Sequence, residues 1–349
     1  MYLAKAFAAQ RRGEPLTPWQ IERRALRSHD VLIEIDYCGV CHSDVHQARG
    51  EWGRQLFPMV PGHEIVGTVV RVGEAVRSRR MGERVGVGCF VDSCRSCPSC
   101  LEGLQQYCAQ GMTATYNSVE RDGVTPTYGG YATAIVVDEA YTLAMPDSLA
   151  PDAAAPLLCA GITMYSPLRR WAAGPGTRVT VLGLGGLGHV GVKIARAMGA
   201  EVTVLSHSAR KKEDALRLGA QAFHDLADLA AGQRLRGAFD LILNTASTGV
   251  DLDALSALLR RDGVLVLLGI SPQPHSIRGV SLIGQRRSLA GSTIGGIAET
   301  QEMLDFCACH GIACDIERIR MQDINEAYER MLRGDVRYRF VVDMSTLRD

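Results

Sequence analysis

The 349-residue chain has no charge imbalance: 38 Lys and Arg stand against 38 Asp and Glu. A neutral protein has no global field to draw in nucleic acid or an anionic membrane surface, so neither is an expected partner. It has no apolar run long enough to span a bilayer. Its start, MYLAKAFAAQ, lacks a basic stretch followed by a long apolar core and a small-residue cleavage site, so no signal peptide is expected. No internal repeat or low-complexity linker is visible in it.

Cysteine is what the chain has in clusters. There are eleven, an odd number. Without an export leader, clustered cysteines read as cytoplasmic and metal-binding rather than disulfide-bonded. The length predicts two domains with cores large enough to need no covalent staples.

Up to about Val87 the chain is rich in Val, Ile and Gly. VLIEIDYCGV, IVGTVVRVGEAV and GERVGVG read as strands joined by turns, an irregular β-rich domain. Then comes CFVDSCRSCPSCLEGLQQYC, with Cys94, Cys97, Cys100 and Cys108 at C-x2-C-x2-C-x7-C. Two-residue turns let successive thiolates face one ion, and the last closes a tetrahedron, so this lobe predicts a closed structural zinc site. An iron–sulfur run would want a shorter last gap and a proline after its fourth cysteine; here Pro98 falls between the second and third. A nucleic-acid module would want basic and aromatic neighbours, and the lobe has Arg95 and Glu102 and little else.

A second cluster is dispersed. Cys41 lies in YCGVCHSDVHQ, His63 in PGHEIVG and Cys159 in APLLCAGIT, where a helix is expected to begin. Two Cys and one His, with a fourth position left to water, form the ligand set of a catalytic zinc. Taken singly, two buried thiols and a core histidine explain these residues equally well. Their surroundings favour a site. His63 sits in a turn entering an apolar strand, and Cys41 is followed by Ser43, Asp44 and His46, short polar groups suited to supporting a ligand and moving a proton.

At TRVTVLGLGGLGHVGVKIARAMGAEVTVLSHS the pattern changes to strand, turn, helix, strand. Val179, Val181 and Leu182 mark the strand, Gly183, Gly185, Gly186 and Gly188 the turn, and Gly199 the helix end. Within one βαβ unit this is the dinucleotide fingerprint, with a pyrophosphate held at the helix N-terminus. The second strand ends at Ser206, followed by His207, Ser208, Arg210 and Lys211. No acid stands where an NAD ribose would be bound, and hydroxyls and cations suit a 2′-phosphate, so the expected cofactor is NADP(H). KKEDALRLGA and DALSALLRRDG read as helices, FDLILNTAS and VLVLLGI as strands, and RSLAGSTI ends a doubly wound parallel sheet. ETQEMLDFCACHG and NEAYERMLRG are expected helices, and VRYRFVVDM a strand returning to the first domain. The expected division is 1–155 with the lobe at 89–110, then 156–290, then 291–349 completing the first domain.

With both cysteine segments and the glycine turn in view, the chain resembles the zinc-containing medium-chain alcohol dehydrogenases. Within them it is most similar to the cinnamyl-alcohol-dehydrogenase branch and its bacterial NADPH-dependent aldehyde reductases. GVCHSDVH, PGHEIVG, the four-Cys lobe, APLLCAGIT, GLGGLGH, STIGG-x-x-ETQEMLDFC and VRYRFVVD carry the match over nearly the whole chain. The resemblance implies an α/β protein: a GroES-like catalytic domain made of both chain ends, with a Rossmann domain inserted. It implies two zinc ions, the catalytic one on Cys41, His63 and Cys159, with Glu64 a nearby and sometimes alternative ligand and Asp44 orienting His63. Ser43 would pass a proton through the cofactor ribose to His46. Ser206, Ser208 and Lys211, helped by Arg210, would bind the 2′-phosphate, with Thr163, Leu187 and Ile294 beside the cofactor and the glycines under it. A homodimer formed through the cofactor domains is implied. So is hydride transfer between NADP(H) and primary alcohols or aldehydes, aromatic and aliphatic, running towards aldehyde reduction in the cell. Plant members carry a pocket aromatic five residues past the last lobe cysteine; Thr113 holds that place here and argues against a cinnamyl preference, leaving Trp52 as another pocket aromatic. A zinc-free quinone reductase or a non-catalytic NADP-binding protein of the same superfamily are the alternatives, and the full ligand and relay sets count against both.

Overall fold

The computed structural model describes residues 2–53, 55–247, 249–271 and 273–348, and divides the chain into two compact units. One is Met1–Cys159 with Gly295–Asp349, the other Ala160–Ile294. Among the described residues no helix is long and apolar enough to cross a membrane.

The first unit is built around the strand Asp30–Gly39. Antiparallel partners flank it: Ile65–Val72 along its length, Ala134–Asp138 against its first half, and Arg339–Asp343 against its last residues. The seven-stranded sheet therefore draws on both ends of the chain. Leu32, Ile33, Ile35, Ile65 and Phe340 are essentially inaccessible. Each such side chain contributes about 1.5–3 kcal/mol of burial, so the strand is firmly held between its neighbours. Its register with Ile65–Val72 shifts twice, at Leu32/Ile33 and at Ile35/Tyr37. Such irregularities bend a strand and re-aim its end. Here that end carries Cys38, Gly39 and, just beyond, Cys41. The helix Ile324–Leu332 buries Ile324, Ala327, Tyr328 and Met331, the spacing of one helical face.

One buried cation secures the loop between Tyr128 and Ala134. Arg23, at the end of the strand Thr17–Arg23, donates from Nε to the Ala134 carbonyl (2.8 Å), from Nη1 to that of Tyr128 (2.5 Å) and from Nη2 to that of Gly129 (2.7 Å). Burial pulls its pKa down to about 9. Hydrogen bonds from a charged donor are worth about 1.5–3 kcal/mol each. Arg23→Met, which keeps the bulk and removes the donors, is expected to lower unfolding free energy by about 3 kcal/mol or more. Urea titration measures this, and a loss under 1 kcal/mol would show the carbonyls are satisfied without it.

The second unit is a six-stranded sheet with every neighbouring pair parallel. From one edge the strands run Ala222–Asp225, Glu201–Ser206, Arg178–Leu182, Phe239–Asn244, Leu259–Leu267 and Ser288–Gly291. In order of occurrence this is 3-2-1-4-5-6, the Rossmann arrangement. The expected α/β class, a β-rich unit plus a doubly wound sheet, is what the fold shows. The helix expected over DALSALLRRDG stops at Leu258, and Leu259 to Asp262 already belong to the next strand. Leu259 pairs with Phe239 across an irregularity, and Asp262 takes a φ of +67°. Local helix propensity there yields to sheet pairing.

Candidate metal centre and cofactor cradle

Cys41 caps the short helix His42–Ala48. Its N–H donates to Asp44 Oδ2 at 2.9 Å, so the carboxylate that the sequence places three residues on closes the turn and fixes the thiol. His63 arrives from the opposite side. Its Nδ1 lies 3.1 Å from Asp44 Oδ1, which leaves Nε2 as the nitrogen facing the sulfurs. Cys159 ends the turn Ala155–Leu158. Ligand atoms of Cys41, His63, Glu64 and Cys159 all lie within 4.8 Å of one another, and all four residues are buried.

The charges suit a dication. Cys159 pulls the Cys41 thiol well below its ordinary value, while Cys41, Cys89 and burial push that of Cys159 well above. The two thiols thus share a proton, and a metal ion among them takes that proton's place. Arg339, 3 % exposed, donates from Nη2 to Glu64 Oε1 and, at 2.9 Å, to the Val40 carbonyl. Burial works against its charge, but Glu64, Cys41 and Cys159 hold it protonated. Burial, opposed by that guanidinium, leaves the Glu64 carboxyl raised to about 8. Glu64 Oε2 is buried without a hydrogen-bond partner, an orphan that an ion at this set would satisfy. It also lies against Gly39, where a Cβ would come within 1.9 Å of it, so this strand end has no room for a side chain.

Around this set, Ser43 Oγ lies 3.6 Å from Cys41 Sγ. His46 Nδ1 is 2.5 Å from Glu51 Oε2, and its ring stacks on Trp52 with centroids 4.9 Å apart. Glu51, Arg339 and Cys89 were not singled out from the sequence. Cys89 is half-buried, with Sγ 3.7 Å from the carbonyl of Leu158, the residue before Cys159. Thr113 pairs with Asp92 and lines a cavity of about 200 Å³ whose walls include Arg24, Asp30, Glu120 and Arg95 but no residue of the metal set. The charges there pair with each other: Arg24 with Asp30 and Glu120, Arg95 with Asp92 and Asp138.

In the lobe, the four sulfurs of Cys94, Cys97, Cys100 and Cys108 also lie within 4.8 Å of one another. Arg95 has a φ of +60°, which turns the chain so that the Cys97 N–H donates to Cys94 Sγ at 3.3 Å. The Cys94 N–H reaches Cys108 Sγ at 3.3 Å, and that of Ala109 reaches Cys97 Sγ at 3.4 Å. These donors suit thiolates, and the N–H groups of Ser96 and Cys97 bring the Cys94 thiol down to about 6. The set has no protein-free position for a substrate. Cys100→Ser is therefore expected to destroy the lobe's metal binding and lower stability, while turnover per folded molecule changes less than about threefold. Metal analysis and melting check this; normal melting with the lobe empty would show that it is not structural.

In the second unit the glycine turn has the geometry its spacing requires. Gly183 has a φ of +92°, and a Cβ at Gly188 would lie 2.0 Å from the Gly183 carbonyl oxygen, so the helix Gly188–Ala197 starts against the strand end. A Cβ at Gly185 would meet nothing within 4 Å: the backbone there borders open space that a pyrophosphate fits. Leu187 caps the helix, and Thr163 is buried on the helix Ala160–Arg170. Ser206 ends its strand, with Oγ accepting from the Ser208 N–H at 3.3 Å. Lys211 Nζ donates to the Leu184 carbonyl at 2.6 Å, tying the basic turn to the glycine turn, and Arg210 is exposed. Ile294 has a φ of +35°, a strained setting for a β-branched residue and of the kind that collects at functional sites. One acid was missed: Asp225 lies in register with Ser206 on the next strand, its Oδ1 accepting from the Ala227 N–H at 2.9 Å.

A buried thiolate–imidazole set in one unit and a dinucleotide cradle in the other are the two requirements of a metal-dependent dehydrogenase. Residues 27–147 match the alcohol dehydrogenase GroES-like domain, and residues 186–308 the zinc-binding dehydrogenase family. The chain belongs to the zinc-containing alcohol dehydrogenase family, whose Cys2His zinc is a standard example of an open catalytic site. It is 58 % identical, over the full length of both chains, to the NADP-dependent alcohol dehydrogenase C 1 of Mycolicibacterium smegmatis. To the aldehyde reductase YahK of Escherichia coli it is 54 % identical over 99 % of each. Its fold matches the CAD of Helicobacter pylori, solved with NADP(H), at a TM-score of 0.93 and 40 % identity over 98 % of both chains.

Proposed function

We propose that this chain is an NADP(H)-dependent alcohol dehydrogenase that acts mainly as an aldehyde reductase on aromatic and aliphatic primary aldehydes. The observation that carries the reading is the buried Cys41–His63–Glu64–Cys159 set, standing apart from a second set closed by four thiols. The M. smegmatis relative is named for NADP, the E. coli relative for aldehyde reduction, and the H. pylori structure holds NADP(H).

When bound, zinc supplies Lewis acidity towards a substrate oxygen and NADP(H) supplies hydride. The residues do the rest. Cys41 and Cys159 provide anionic sulfur, and His63 neutral nitrogen. Asp44 keeps the His63 proton on Nδ1, so that Nε2 can act as the ligand. Arg339 balances Glu64 and keeps that carboxylate from adding uncompensated charge. Ser43 and His46 are the proton path. With Nδ1 held by Glu51, His46 exchanges its proton at Nε2, and stacking on Trp52 fixes the ring plane. Ser206, Ser208, Arg210 and Lys211 bind the 2′-phosphate; Gly183, Gly185, Gly186, Leu187 and Gly188 take the pyrophosphate; Thr163 and Ile294 line the cofactor.

The working form is a cytoplasmic homodimer. Among the described residues the strand Ser288–Gly291 is an edge of its sheet, and Val280 and Ile283, on the helix Gly279–Ile283 that precedes it, are 68 % and 81 % exposed. Light scattering at working concentration tests this, and a monomer would refute it. The main test is bound zinc per chain together with a panel of primary alcohols and aldehydes assayed with both cofactors. About two zinc ions per chain and NADPH-dependent aldehyde reduction are expected; near zero zinc would overturn the reading.

A further inference from the structure

Asp44 is the group through which the His63 imidazole is held, and its carboxylate is completely buried. Oδ1 accepts from the Gly62 N–H at 3.1 Å and faces His63 Nδ1. Oδ2 accepts from the Cys41 N–H at 2.9 Å and from the Tyr131 hydroxyl at 3.3 Å. Gly62, His63 and Cys41 belong to the ligand segments themselves. Tyr131 comes from elsewhere, the loop that Arg23 pins.

That loop is built onto the His63 segment. Gly129 N–H donates to the Val60 carbonyl (2.7 Å), Gly130 N–H to that of Gly62 (2.8 Å) and Tyr131 N–H to that of Pro61 (3.0 Å). The Tyr131 carbonyl in turn accepts from Phe7 N–H at 2.9 Å. The ring packs so closely that a Cβ on Gly62 would lie 2.8 Å from Tyr131 Cδ1. Tyr131 itself has no solvent exposure. A phenylalanine would fill the same space, and a buried hydroxyl is tolerated only with a partner. Besides the Tyr328 hydroxyl, it has the carboxylate that sets the ligand histidine as acceptor.

We propose that Tyr131 is a positioning residue of the metal centre: its hydroxyl locks the Asp44 carboxylate and, through it, the His63 ring and the residence of the metal. The inference rests on the reading of Cys41, His63 and Cys159 as ligands. A carboxylate turns about its Cβ–Cγ bond unless donors hold both oxygens. Without Tyr131, Oδ2 keeps the Cys41 N–H and Oδ1 the Gly62 N–H, but Oδ2 loses its second donor, which comes from outside the ligand segments, so the carboxylate is less firmly held towards Nδ1. Tyr116 bears on the same group: its ring stacks on His63 with centroids 5.8 Å apart, and its hydroxyl interacts with Asp44. Loss of a ligand's own hydrogen-bond partner typically costs about 10–100-fold in metal affinity, and Tyr131, one bond further out, is expected at the low end of that range.

The experiment follows zinc release to an excess of chelator with a metallochromic indicator, in wild type, Tyr131→Phe, Asp44→Asn, the double variant and His63→Ala. In Tyr131→Phe one zinc is expected to leave about tenfold or more faster, the other at the wild-type rate. Cobalt(II) exchanged into the faster site should show shifted visible d–d bands. In the Asp44→Asn background the tyrosine change should add nothing, because both act through one carboxylate. Tyr131→Leu carries the same expectation and serves if the phenylalanine variant does not fold. Wild-type release and spectrum in Tyr131→Phe, with His63→Ala one zinc short, would overturn the proposal and leave the metal reading standing. So would additive effects in the double variant. Two zinc ions retained by His63→Ala would overturn both.

Discussion

His63→Ala or Cys159→Ser is expected to cost three or more orders of magnitude in kcat/KM, to remove one zinc per chain and to leave melting close to wild type. Polarising a substrate oxygen is worth several kcal/mol, and each 1.4 kcal/mol is about tenfold in rate. The fold should survive because the elements carrying these residues are held by other contacts. The His63 turn is bonded to residues 129–131, and Cys159 is held by its N–H on the Pro156 carbonyl at the end of the buried turn Ala155–Leu158. Zinc analysis, melting and steady-state kinetics on the same preparations separate the possibilities. Activity that persists after one zinc has gone would mean that this set does not perform the chemistry.

What could be read from the sequence depended on how far apart the cooperating residues lie. The lobe cysteines sit within one turn-rich stretch, so their spacing alone predicts four converging sulfurs, and the structure brings them together. The glycine turn is legible for the same reason: a strand end, a left-handed glycine and a helix start are consecutive. The catalytic set is different. Cys159 is far along the chain from Cys41 and His63, so no spacing joins them; their ligand chemistry and surroundings suggested a set, the resemblance named it, and the sheet and the turn at Ala155–Leu158 are what bring them together. Arg339 was invisible for a stronger form of this reason. It is one of two arginines in VRYRF, and its partner Glu64 is 275 residues away. Tyr131 and Asp225 belong to the same class, since a buried hydroxyl and a cross-strand register have no local signature. The helix misread at 259–262 fails in the other direction: its local pattern is helical, and pairing with Phe239 decides it.

Cofactor choice should show the second large effect: NADPH preferred over NADH by about two to four orders of magnitude in kcat/KM. The strand Glu201–Ser206 ends in a hydroxyl where NAD-binding units place a carboxylate. A charge-assisted hydrogen bond is worth about 1.5–3 kcal/mol, so two such contacts to a 2′-phosphate, from among Ser206, Ser208, Arg210 and Lys211, give that range. Lys211 is already directed at the glycine turn through the Leu184 carbonyl, which limits the ordering cost of binding. Asp225 works the other way. It stands in register with Ser206, and its carboxylate is occupied by the Ala227 N–H. One neighbouring acid reduces the preference, and the cations outnumber it. Ser206→Asp puts a second carboxylate at the strand end, where it repels the 2′-phosphate and can accept from ribose hydroxyls. The variant is expected to lose at least 100-fold with NADPH, as one or more charge-assisted contacts become repulsive, and to gain with NADH. Steady-state kinetics with both cofactors measures the ratio. Equal use of NADH and NADPH by the wild type, or an unchanged ratio in Ser206→Asp, would show that this strand end does not read the phosphate.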